Sequence, residues 1–142
     1  MRLRFAPVSK TFRSIAVAHG LLLSISATAA DYPWTLLKSP TFKTAYFKML
    51  GPNQNAPWLR KLHGPSAPVE YVQLVSRNEE FVLLDVCKPH DCGNTNALIL
   101  YSEARGAAFA LLFTDGTAKY LGSPPDDVKD TLSHHFEKRR SK

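Results

Sequence analysis

Apolar residues at Phe42, Ala45, Tyr46, Met49 and Leu50 repeat at the i, i+3, i+4, i+7, i+8 spacing of one helix face. Ser39 stands where an N-cap belongs, Pro40 suits the first helical position, and Gly51-Pro52 closes the segment. Residues 31–38, with Pro33 and Trp34, read as a lead-in. Asn55 to Leu62 predicts a second short helix with Trp58, Leu59 and Leu62 on its apolar side. From Pro68 the period changes to that of strands. Val69 to Ser76 alternates and predicts a largely buried strand. Arg77-Asn78 turns into a second strand over Glu79–Val86. Ala97–Ser102 and Ala107–Phe113 give the third and fourth strands, joined through Arg105-Gly106. Asp115-Gly116 is a hairpin turn leading to a short fifth strand over Ala118–Leu121. Ser123-Pro124-Pro125-Asp126 opens a last helix with Val128, Leu132 and Phe136 as its stripe. Helices first, a five-strand meander next and a closing helix predict an α+β domain: an antiparallel sheet flanked by short helices.

Residues 1–30 stand apart from this pattern. Arg2, Arg4, Lys10 and Arg13 lead into the apolar run Ile15–Ala27, which ends in Ala27-Thr28-Ala29-Ala30. A basic lead, a short apolar core and a small-residue site predict a secretory signal peptide over 1–30, leaving a mature domain over 31–142 in the periplasm. The run is shorter than the roughly 20 residues of a spanning helix, so a membrane anchor is not expected.

Removing the leader changes the charge picture. The chain has 18 basic and 12 acidic residues, and four of the basic ones lie in the leader. Four more sit in the last five residues, Lys138-Arg139-Arg140-Ser141-Lys142, which read as a solvated, frayed end. Residues 31–137 then carry 10 basic against 12 acidic side chains, a net −2. The basic total is therefore no argument for a nucleic-acid partner.

Both cysteines, Cys87 and Cys92, lie in the mature part at the predicted tip of the second hairpin. An exported chain meets an oxidising compartment, where so close a pair is expected to form a disulfide. Closing so short a loop contributes only about 2 kcal/mol, so the staple shapes the loop rather than holding the fold. Between the cysteines lie Lys88, Pro89, His90 and Asp91, polar or rigid residues unsuited to a core. A rigid, protruding polar tip loses little entropy on binding, which is what an inhibitory or binding loop needs. The spacing is not C-x-x-C, which argues against a redox pair. His63, His134 and His135 show no metal-ligand spacing, so neither metal nor cofactor is expected. His134 and His135 read as surface residues, and Trp34, Tyr46 and Trp58 as core aromatics. Asp126, Asp127 and Asp130 suit the N-terminal end of the last helix. No Ser-His-Asp or paired-carboxylate arrangement makes a case for an enzyme.

Cys87 to Gly93 reads CKPHDCG and resembles the signature loop of the Ivy family, periplasmic inhibitors of vertebrate (c-type) lysozyme. Pro57-Trp58, Tyr101-Ser102-Glu103 and Tyr120-Leu121-Gly122 also fall where that family has similar features. The resemblance implies an antiparallel sheet with flanking helices, and a loop that enters the lysozyme cleft with His90 at the catalytic centre. It implies c-type lysozyme as the partner and leaves a homodimer open. An alternative of another class is a periplasmic binding module that uses the same loop on an endogenous lytic transglycosylase or another envelope target.

Overall fold

The computed structural model describes residues 31–141; the proposed leader over 1–30 lies outside the described residues. The order is α1 (Pro33–Leu36), α2 (Pro40–Leu50), a 3-10 turn, α3 (Pro57–Lys61), five strands and α4 (Asp126–Arg140). The strands β1 (Glu70–Leu74), β2 (Glu79–Cys87), β3 (Thr95–Ser102), β4 (Ala107–Thr114) and β5 (Thr117–Leu121) form one antiparallel meander in sequential order. This is the expected α+β fold, with helices on both faces of the sheet.

Alternation sorts the sheet's side chains between two cores. On one face Leu84, Val86, Ala97, Ile99, Tyr101, Ala108, Ala110 and Leu112 meet α2 and α3. On the other, Phe81, Leu83, Leu98, Leu100 and Leu111 meet Val128, Leu132 and Phe136 of α4. β3 is central, and every one of its residues is buried. Alanines at 97, 108 and 110 leave room under α2 for its two large rings. Phe42 stacks on Tyr46 at 5.4 Å and meets Tyr101 edge-on at 5.0 Å.

Ser39 caps α2, its hydroxyl accepting from the Phe42 amide at 3.4 Å, and the face read from the sequence is buried throughout. Tyr46 donates to the Leu59 carbonyl at 2.8 Å, which fixes α3 against α2. Burial pushes the Tyr46 hydroxyl well above the usual phenol range, so it stays a donor. Gly122 closes the β5–α4 connection at φ +80°; a Cβ there would lie 2.5 Å from the Ala108 carbonyl oxygen and 2.9 Å from Met49 Cγ. At the start of α4, Arg77 grips both Asp127 oxygens at 2.5 and 2.6 Å, holding that carboxyl down at about 2.

Three local expectations change. β1 is an edge strand and mostly exposed, with Tyr71 at 64 %. Its alternation matched a buried strand because sequence does not reveal which strand ends the sheet. The lead-in contains α1, which buries Pro33. The basic end is not frayed through Arg140: it continues α4, Arg139 pairs with Asp85 at 3.0 Å, and Arg140 lies over the Phe113 and Phe136 rings.

Candidate functional site

The β2–β3 connection is the site the sequence singles out. Cys87 ends β2, two residues (Gly93 and Asn94) separate Cys92 from the start of β3 at Thr95, and the two cysteines are joined by a disulfide with a Cα–Cα distance of 4.9 Å. Within it, Pro89 and His90 occupy the centre of a tight turn, closed by the Asp91 amide donating to the Lys88 carbonyl at 3.0 Å. His90 has φ +64°, the left-handed value that the third position of a type II turn requires and glycine usually supplies. A histidine kept there is held against a backbone preference of roughly 1 kcal/mol or more. Its imidazole is exposed and makes no hydrogen bond, ion pair or ring contact among the described residues.

Asp91 shapes this turn from inside. Its carboxylate accepts from Thr95 Oγ1 at 2.8 Å, Asn94 Nδ2 at 3.2 Å and Lys88 Nζ at 3.2 Å. Its carbonyl accepts from the amides of Asn94 and Thr95 at 3.2 and 2.8 Å, and the Lys88 amide returns to the Thr95 carbonyl at 3.0 Å. Asn96 Nδ2 adds a bond to the Cys92 carbonyl at 2.9 Å. The loop is thus fixed by a polar network as well as by its disulfide. Asp91 does not hydrogen-bond His90, so it orders the backbone rather than setting the imidazole tautomer. Lys88 is likewise engaged with Asp91, while half of its side chain stays exposed.

The hydrogen bond from Thr95, followed by that from Lys88, lowers the Asp91 pKa. A depressed carboxyl contributes its stabilisation fully above the unfolded value, and loses it as pH falls through the folded one. The loop is therefore expected to stay ordered throughout the ordinary carboxylate range and to loosen only below it. Amide chemical shifts of Asn94 and Thr95 followed against pH check this. A transition centred above pH ~4, the ordinary aspartate value, would contradict it.

A groove of about 680 Å³ opens beside the loop, with Lys88, Asp91 and Thr95 on one wall, Trp58 and Asn53 on the other, and Leu112 below. Of the three aromatics expected in the core, Tyr46 is fully buried, Trp58 is half-buried, packing against the core while facing this groove, and Trp34 is 37 % exposed and outside the core. His134 is exposed and His135 half-buried, their rings 5.8 Å apart. Among the described residues, no group of three or more His, Cys, Asp or Glu side chains could hold a metal ion. No described helix is long and apolar enough to cross a membrane.

A family model described as "Inhibitor of vertebrate lysozyme (Ivy)" matches residues 41–138, from the start of α2 almost to the end of α4. The chain belongs to the Ivy family. A Pseudomonas aeruginosa relative named "Inhibitor of vertebrate lysozyme" is 32 % identical, with 87 % of this chain and 91 % of the relative covered. An Escherichia coli K12 relative of the same name is 30 % identical over 72 % of this chain and 65 % of its own length. An uncharacterized Yersinia pestis protein is 28 % identical over 72 % and 75 %. The Ivy match takes in the loop, both flanking strands and the groove.

Three residues that shape the loop of this Ivy-family chain carry no obvious mark in its sequence. Asn94 and Thr95 lie beyond the second cysteine, yet both hold Asp91; an Asn and a Thr three and four residues after an Asp are the available signal. Gly64 packs under the loop base, where a Cβ would fall on the Cys87 carbonyl oxygen and lie 3.6 Å from Pro89 Cδ. That approach joins segments far apart in the chain, and no local pattern announces it.

Proposed function

We propose that this protein is a periplasmic inhibitor of c-type lysozyme that acts by binding, presenting the Cys87–Cys92 loop to the enzyme's active-site cleft. The observation that carries the proposal is His90: an exposed, unpartnered imidazole at the tip of a stapled, hydrogen-bonded turn. Family membership and the names of the Pseudomonas and Escherichia relatives support lysozyme as the target.

The chemistry of insertion follows from the two carboxyl groups such an enzyme needs, one protonated as the acid and one ionised. A neutral imidazole carries one N–H donor and one bare acceptor nitrogen. His90 accepts from the protonated acid and donates to the carboxylate, matching both in their resting states. The loop then fills the space a sugar would occupy. Because the turn is ordered beforehand, binding costs little further entropy. Lys88, Pro89 and Asp91 complete the binding loop. Lys88 and Pro89 lead into His90, and Asp91 holds the shape from within.

Residues 1–30 supply the export this role requires. Titration of periplasmic protein into a c-type lysozyme assay on peptidoglycan tests the proposal. Inhibition is expected to saturate near equimolar enzyme, from protein whose mass places its first residue near Asp31. Reduction of the disulfide is expected to weaken inhibition without abolishing it, since the Asp91 network remains. No inhibition at micromolar protein would overturn the proposal.

A further inference from the structure

Charge is divided unevenly between the layers of this fold. Residues 32–69, which hold α1, α2 and α3, carry five basic side chains (Lys38, Lys43, Lys48, Arg60 and Lys61) and no acidic one. Residues 70–137 carry five basic and eleven acidic ones. All five cations of the helical layer are exposed, and none enters an ion pair among the described residues. Lys43, Arg60, Lys61 and His63 converge on one shallow cleft of about 240 Å³, with Leu37 and Phe47 as its apolar side. Beside it, Trp34 stacks on Tyr32 at 4.7 Å, and its ring lies 6.4 Å from that of His63. No residue of the Cys87–Cys92 loop lines this cleft.

We propose that this basic face docks on an anionic phospholipid bilayer, seating a phosphate headgroup among Lys43, Arg60, Lys61 and His63. Cations gathered round one cleft without counter-charge favour an anionic ligand, and guanidinium and ammonium groups together suit phosphate oxygens. The neighbouring aromatic pair distinguishes a bilayer from a free ion. Trp and Tyr offer an apolar body with a polar edge, the combination that settles at the membrane–water interface. A shallow cleft beside an aromatic pair whose Trp34 ring is exposed and whose Tyr32 ring is half-buried matches a headgroup in a surface better than a small anion enclosed on all sides. Attraction of this kind is electrostatic, so it falls as salt screens it. The face would hold the protein at the surface of the membrane while the binding loop stays free. It does not depend on what that loop binds.

Co-sedimentation of protein recovered by osmotic shock with vesicles tests this. Binding is expected to vesicles containing phosphatidylglycerol and not to pure phosphatidylcholine, and to decline with added salt. Lys43→Glu/Arg60→Glu should lower the partition coefficient by roughly tenfold or more. The milder Lys43→Gln/Arg60→Gln pair should give an intermediate loss. Lys119→Glu/Lys129→Glu changes net charge equally on other elements and should have much less effect. Unchanged thermal unfolding of the variants shows that they are folded. Equal binding to neutral vesicles, or equal losses from both charge-reversed pairs, would overturn the proposal. So would saturable binding of inorganic phosphate by protein that ignores anionic vesicles, since that outcome describes a small-anion site.

Discussion

His90→Ala is expected to weaken inhibition of c-type lysozyme by roughly a hundredfold, about 3 kcal/mol, while leaving thermal stability unchanged. The two halves of that expectation rest on different observations. The imidazole is exposed and makes no hydrogen bond, ion pair or ring contact among the described residues, so its removal leaves no buried cavity and no orphaned polar partner. In the proposed complex, the same imidazole is asked to satisfy two buried carboxyl groups at once. A group that fills such a central, desolvated position is the kind whose truncation dominates an alanine scan. Alanine is also the right substitution for isolating the side chain. It keeps a Cβ at φ +64°, so the backbone penalty of the wild-type turn is retained and the measured loss belongs to the ring. Inhibition constants from steady-state lysis assays and a melting curve for each protein decide the matter. An alanine variant as potent as wild type would remove His90 from the mechanism and leave the loop a mere staple.

Much of the fold could be read from the chain because local and long-range preferences agree there. The α2 segment has its cap, its proline, its apolar face and its terminating glycine, and all five face residues are buried. The Asp115-Gly116 turn has positive φ at both residues, as a two-residue hairpin demands. The loop was legible for the same reason: a cysteine pair bracketing polar residues between two strands leaves few alternatives. What stayed hidden depends on contacts between distant segments. β1 shows strand alternation, but its exposure follows from its place at the sheet edge. Trp34 and Trp58 look alike in sequence, yet one lies outside the core and the other walls a groove beside the loop. The basic end looked solvated, and the structure docks Arg139 on Asp85 and Arg140 over two phenylalanine rings. Net charge misled in a similar way, since a total near zero conceals a helical layer without a single acidic residue between positions 32 and 69.

Gly64→Ala is expected to destabilise the protein by about 2–3 kcal/mol, lower its melting temperature by roughly 10 °C and weaken inhibition together. The added methyl would fall on the carbonyl oxygen of Cys87, and the obstacle is backbone rather than the movable end of a side chain. Relief must come from displacing either the 63–66 segment or the end of β2. The first is anchored by the Ser66–Val86 bridge, and the second carries the disulfide and the first residue of the binding loop. Either movement reaches Pro89, whose Cδ lies 3.6 Å from the same point, and so tilts the turn that presents His90. Stability and potency therefore fall together, which separates this variant from His90→Ala, where potency alone falls. Gly93→Ala supplies the control. It lies just past the second cysteine, with no atom within 4 Å of the added methyl and no need for a left-handed backbone, so stability should hold. Full potency in Gly64→Ala would mean that the base of the loop does not lean on that segment. A folded but inactive Gly93→Ala would mean instead that the partner approaches the backbone there, extending the contact beyond the six residues of the stapled loop.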